Sequence, residues 1–121
     1  GLLAGNIDKN TKFAENDHRN YNINGDSFDV GDTFSGVKLD KGLEAVNELK
    51  KILPENFTLS QLSIKWILMH DAVSVVIPGA TNTKEVHMNS ITFDLDDISA
   101  LMNKIKNIYD QLIKPDVHKL W

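Results

Sequence analysis

The chain contains no cysteine, which excludes disulfides, thiolate metal sites and a cysteine nucleophile. That absence is compatible with a reducing compartment, and a cytoplasmic location is the expectation. No apolar stretch approaches the roughly 20 residues needed to span a bilayer, so no membrane partner is expected. The opening residues, GLLAGNIDKN, carry neither an initiator methionine nor a basic leader. No signal peptide is readable there, and the chain is expected to begin inside something longer. Positive charge is also short: 13 Lys and Arg stand against 17 Asp and Glu, for a formal charge of -4, and the cations are dispersed. A nucleic-acid partner is not expected of such a surface. The four histidines, His18, His70, His87 and His118, are not spaced as metal-ligand pairs, and no metal is expected.

What is present is an ordinary globular balance. Of 121 residues, 41% are hydrophobic and 25% charged, enough for one modest domain. GLLAG reads as the end of a strand closed by glycine. Residues 6–36 are rich in Asn, Asp and Gly without sustained periodicity. They read as a long loop, functional flap or disordered segment, with Phe13, Phe28 and Phe34 available to pin it.

From Lys38 the pattern turns helical. Leu39, Leu43, Val46, Leu49 and Leu53 share one face, and Pro54 stops the run. FTLSQL then carries a capping box, Thr58 with Gln61, with Phe57 and Leu62 placed for a hydrophobic staple. The helix it starts is apolar nearly all round, so burial on more than one side is expected and Trp66 is assigned to the core. AVSVVIP is β-branched with little polar alternation, the signature of a strand at about 73–77 covered on both faces. A short helix follows over Thr83 to Met88. Asp94 reads as the cap of a last helix with Asp97 in its first turn. Leu95, Ile98, Leu101, Ile105, Ile108 and Leu112 form that helix's stripe, which ends before Pro115, and Trp121 is expected to pack back.

Strands alternating with helices indicate the α/β class with a parallel sheet. Two strand candidates cannot complete such a sheet, so the chain reads as a mostly helical piece of one.

Chemistry is most legible in VSVVIPGATNTKEVHMN, residues 73–89. Ligands of parallel α/β folds bind at the carboxyl ends of strands, and Pro78-Gly79-Ala80-Thr81 stands at one. Glycine permits close backbone approach, and the following helix start offers free N–H groups to an anion. An ordinary strand-to-helix turn is the other reading, since Asn82 and Glu85 form a second capping box that needs no ligand. Arg19, in Asp17-His18-Arg19, is open to two roles: approaching a pyrophosphate, or pairing with a nearby carboxylate. Tyr109 reads as structural, and Tyr21 as a flap contact or an exposed aromatic. The acid run Asp94, Asp96, Asp97 reads as a helix start, and the Asn56-Phe57-Thr58 sequon is discounted because Thr58 is employed as a cap.

GLLAG, DHR, TLSQLSIKWIL and above all VVIPGATNTKEVHMN, in that order, resemble the C-terminal part of an aldo-keto reductase. The most telling element is Ile77-Pro78-Gly79-Ala80 followed by Asn89. The resemblance implies the C-terminal portion of a (β/α)8 TIM barrel. Residues 1–5 would end strand seven, 6–36 would form the flap over the cofactor, and 37–121 would supply helices and strand eight. It implies hydride transfer between NADPH and an aldehyde or ketone, with the adenosine 2'-phosphate at the helix start after strand eight. Pro78, Gly79, Ala80, Thr81, Lys84, Glu85 and Asn89 would line the adenosine end, with Asn89 against adenine. Gly1, Leu3 and Gly5 would lie near the pyrophosphate.

The family's catalytic Tyr, with its Lys, Asp and His, lies upstream of the matching part, so no catalytic residue is assigned here. Two positions depart from the family pattern. Glu85 stands where Arg or Gln usually faces the 2'-phosphate, and Met88 replaces a common Glu. A carboxylate repels a phosphate monoester, and Lys84 points about 100° away around the helix, which leaves NADH open as cofactor. The contrasting function is a non-catalytic interaction module that self-associates through the unpaired edges of Val73 to Ile77.

Overall fold

A computed structural model of the chain describes residues 1–29, 31 and 33–120; the expected packing of Trp121 lies outside them. The elements are helical throughout, with no strand among the described residues. They are α1 (His18–Tyr21), α2 (Leu39–Lys51), α3 (Leu59–Leu68), α4 (Thr83–Ser90), α5 (Ser99–Ile108) and α6 (Lys114–Val117), joined by short 3-10 turns and one π turn.

The core forms where α2, α3 and the residue before α5 bring their apolar faces together. Val46, Phe57, Leu59, Leu62 and Ile98 are its buried centre, with Leu49, Leu53, Leu95, Leu101, Met102 and Ile105 packed around them. Burying one such side chain is worth about 1.5–3 kcal/mol, so this cluster outweighs any single polar contact in the chain. The α3 capping box is complete: the Gln61 N–H donates to Thr58 Oγ1 at 3.2 Å, and the Thr58 N–H donates to Gln61 Oε1 at 3.0 Å. Phe57 and Leu62, the staple pair, are both in the core.

Residues 1–5 are not a strand end. They form a 3-10 turn, Leu2–Ala4, closed by Gly5 at a left-handed φ of 76°. Leu2 lies on α2 at Gly42, where an added Cβ would run into its side chain. The turn therefore seats on α2 and α3.

The long stretch 6–36 is organised by polar side chains. Asp17 caps α1 by accepting from the Arg19 N–H at 2.9 Å. Fully buried Asn22 accepts from the Ser27 and Phe28 N–H groups at 2.9 and 3.1 Å and donates to Thr33 Oγ1 at 3.3 Å. Of the three pins, Phe13 and Phe34 pack tilted with centroids 6.2 Å apart, while Phe28 is exposed.

The expected strand at 73–77 is absent. Residues 73–80 carry no regular structure, and Val75 and Ile77 are 69% and 89% exposed. A strand gains its stability from ladder partners and covered faces, and no second strand among the described residues supplies them. The same lack of cover explains Trp66, assigned to the core yet exposed, with its ring edge-on to His70 at 4.5 Å.

Two boundaries in the last helix also move. Asp94 does not cap it: the residue before the helix is Ile98, which makes no side-chain cap, and Asp97 accepts from the Ser99 N–H at 2.7 Å from outside. Asp94 closes the preceding 3-10 turn, Ile91–Asp94. Past Ile108 the helix continues, widening into a π turn over Tyr109–Ile113 before α6, which contains Pro115 in its first turn. Proline lacks an N–H and crowds the carbonyl four residues back. The wider π turn gives the chain a way to run on past that crowding.

Candidate functional site

The Gly79 corner is built by the start of α4. Asn82 is extended, at φ -152° and ψ 165°, and its Oδ1 accepts from the Glu85 N–H at 2.9 Å. The return half of the expected capping box is displaced by one residue. Glu85 Oε2 accepts from the Thr81 N–H at 2.6 Å and from the Thr81 hydroxyl at 3.0 Å. The Asn82 amide donates to that same hydroxyl oxygen at 3.3 Å. The Thr81 backbone N–H, and then its hydroxyl, hold the Glu85 carboxyl below its ordinary 4.5, so it is ionised at neutral pH.

Asn89, two turns along, is half-buried and faces back to the corner, its Nδ2 donating to the Gly79 carbonyl at 3.4 Å. That is long for an N–H···O bond. Gly79 itself is open: an added Cβ would meet no atom within 4 Å. Beside it runs a groove of about 450 Å³ with walls from Leu68, Val75, Pro78, Ala80 and Val86 and with Asn89 at its polar edge. Lys84 is exposed and joins none of the ion pairs seen among the described residues.

Two residues that hold this corner in place escaped the sequence reading. Gln61, assigned only to the cap of α3, uses its amide nitrogen to reach the Met88 carbonyl at 3.2 Å. Lys65 donates to the Phe93 and Leu95 carbonyls at 2.9 and 2.6 Å. The signal for the first was available, because a cap uses only the oxygen of a glutamine and a buried amide needs a partner for its nitrogen.

Pro78, Gly79, Ala80, Thr81, Lys84, Glu85 and Asn89 are thus adjoining parts of one surface. Gly1, Leu3 and Gly5 are elsewhere, in the turn on α2 and α3, and no hydrogen bond among the described residues links them to the corner. Arg19 takes the second of its two roles: Nε and Nη2 donate to Asp17 at 2.9 and 2.5 Å, and its guanidinium lies 4.5 Å over the Phe13 ring. Arg19 holds the Asp17 carboxyl far below its usual range. Tyr21 is exposed, edge-on to Phe28, and the Tyr109 hydroxyl lies 2.9 Å from His118 Nδ1. No His, Asp and Glu group among the described residues is arranged to hold a metal.

The sequence model of the Aldo/keto reductase family matches residues 1–109. The chain belongs to this family. No curated protein and no solved structure matches it. In this aldo-keto reductase segment the match covers the core, the corner and α5 and stops at Tyr109, so the rest of the π turn and α6 lie beyond it. No helix among the described residues is long and apolar enough to cross a membrane.

Proposed function

We propose that the chain is the cofactor-side C-terminal segment of an NAD(P)-dependent aldo-keto reductase. In that reading the Gly79–Asn89 corner holds the adenosine end of the nicotinamide dinucleotide. The parent enzyme reduces an aldehyde or ketone: the nicotinamide delivers a hydride to the carbonyl carbon, and a tyrosine on another segment protonates the oxygen. This chain supplies no catalytic residue. Its work is to bind and orient.

The observation that carries the reading is the pairing of an apolar groove with the Asn89 amide at its edge. A planar base needs apolar walls and a few placed polar groups. The Asn89 carboxamide can offer both a donor and an acceptor to an adenine edge, and its long bond to the Gly79 carbonyl is easily exchanged. The open Gly79 backbone admits a ribose or phosphate closely. Thr81 contributes beside it. Gly1, Leu3 and Gly5 are assigned to the pyrophosphate, which requires the N-terminal turn to approach the corner in the assembled barrel.

Exposed Val75, Ile77 and Phe93 favour a second reading, a non-catalytic module that self-associates through this apolar face. One pair of measurements separates the two. Titration of NADH and NADPH against the chain, followed by Trp fluorescence and by Gly79 and Asn89 amide shifts, is expected to saturate with shifts confined to residues 78–89. Absence of any response at millimolar cofactor, with sedimentation showing concentration-dependent dimers, would reject the nucleotide site in favour of the module.

A further inference from the structure

At this corner a carboxylate already sits where a ligand anion would bind. Glu85 Oε2 takes the Thr81 N–H at 2.6 Å and the Thr81 hydroxyl at 3.0 Å, and Asn82 takes the Glu85 N–H at 2.9 Å. These are donors that a phosphate oxygen entering the start of α4 would need. The carboxylate is fixed to the first turn of the same helix, so it can swing aside but cannot leave. Lys84, the adjacent cation, lies about 100° around the helix and does not neutralise it.

We infer that Glu85 is a specificity-determining residue, the resident anion of the corner, which makes the site accept adenosine without a 2'-phosphate. The inference rests on the adenosine-site reading above and selects NADH over NADPH as the cofactor of the parent enzyme. Two effects act together. A 2'-phosphate must first displace Glu85 from the Thr81 donors. It must then sit within a few ångströms of a full negative charge while carrying nearly two of its own. At an exposed corner the repulsion alone weakens binding on the order of ten- to thirty-fold.

The test compares adenosine 5'-monophosphate with adenosine 2',5'-bisphosphate on the 121-residue chain and on its Glu85→Gln and Glu85→Ala variants, reading Gly79, Thr81 and Asn89 amide shifts. Far-UV circular dichroism confirms that each variant retains its helices, and the glutamine variant keeps an acceptor for the Thr81 N–H. The expected result is that wild type binds the bisphosphate no more tightly than the monophosphate. In both variants the ratio of bisphosphate to monophosphate affinity should then rise about ten- to thirty-fold. A wild type that prefers the bisphosphate, or variants that leave the ratio of affinities unchanged, would overturn the inference while leaving the adenosine site standing. If the monophosphate shifts none of these amides in any of the three proteins, the adenosine-site reading fails, and the inference falls with it.

Discussion

Replacing Gln61 by alanine removes one side chain that serves both the start of α3 and the end of α4. Gln61 is only 2% exposed and makes three side-chain bonds: Oε1 accepts from the Thr58 N–H and hydroxyl, both at 3.0 Å, and Nε2 donates to the Met88 carbonyl at 3.2 Å. A net intramolecular hydrogen bond contributes about 1 kcal/mol, and a buried group left unpaired costs more. Two features limit the loss. The Met88 carbonyl keeps the Thr92 hydroxyl at 3.0 Å, and the exposed Thr58 can recruit water. The expected destabilisation is therefore about 2–3 kcal/mol, a large share of a small domain's stability.

Gln61→Glu separates the two functions. Glutamate still accepts from Thr58, and its charge suits a helix first turn. It has no donor for Met88, and it turns a carboxylate towards a carbonyl oxygen. A loss of about 1–2 kcal/mol at pH 7 is expected. Because the folded state favours the protonated acid, which can donate to Met88, the carboxyl pKa is raised on folding, and stability relative to wild type recovers as pH falls. Urea unfolding of the three proteins at pH 7 and at pH 4.5, with amide exchange over residues 81–89, reads both effects. Gln61→Ala within about 0.5 kcal/mol of wild type, or Gln61→Glu equal to wild type at pH 7 with unchanged α4 exchange, would refute the coupling of cap and corner.

Acidification should release the corner before the loop. The Glu85 carboxyl is lowered below 4.5 by the Thr81 N–H and hydroxyl, so its contribution is present above that value and lost as pH falls through the lowered one. In a pH titration the Thr81 amide is expected to shift below 4.5, and the Arg19 amide at a lower pH still, because Arg19 holds Asp17 far lower. Separately, alanine at Gly42 gains helix propensity worth about 0.5–1 kcal/mol but displaces Leu2. Thermal unfolding should show Gly42→Ala stabilising in a Leu2→Ala background by about that amount, and not in the wild type.

The features legible in the sequence were those whose chemistry is local. The Thr58–Gln61 box, the staple and the α2 face depend on residues three or four apart, and the structure forms them as spaced. The strand at 73–77 depended on partners that no local pattern contains. β-branching records what a segment packs against in a sheet, and without the sheet the same residues stay irregular. Trp66 failed for the same reason, since an apolar side chain is buried only when something covers it. Pro115 and Asp97 were misjudged on narrower grounds. Proline stops a regular helix but not one that widens before it, and the last helix starts beyond both acids, at Ser99, so that Asp97 reaches its first N–H from outside. At the corner, the box logic of Asn82 and Glu85 was sound to within one residue, and that residue decides which donors the carboxylate occupies.

The corner does not owe its shape to the missing ladder. Gln61 ties α3 to the end of α4, Lys65 ties it to the turn beyond, and Asn82 and Glu85 fix the entry to α4. All are side-chain bonds available without a strand. What the absent ladder leaves behind is apolar surface: Val75 and Phe93, 69% and 76% exposed, line the groove, and Ile77 is 89% exposed. Covering three such side chains would contribute about 4–7 kcal/mol, comparable with the net stability of a typical domain. The two proposed readings therefore make opposite demands on one surface. A barrel covers Val75 and Ile77 with neighbouring strands and leaves Gly79 open to nucleotide, whereas self-association seals the groove that Asn89 borders. Nucleotide and dimer should compete, and a nucleotide-saturated chain that still sediments as a dimer would show that the groove and the association surface are separate.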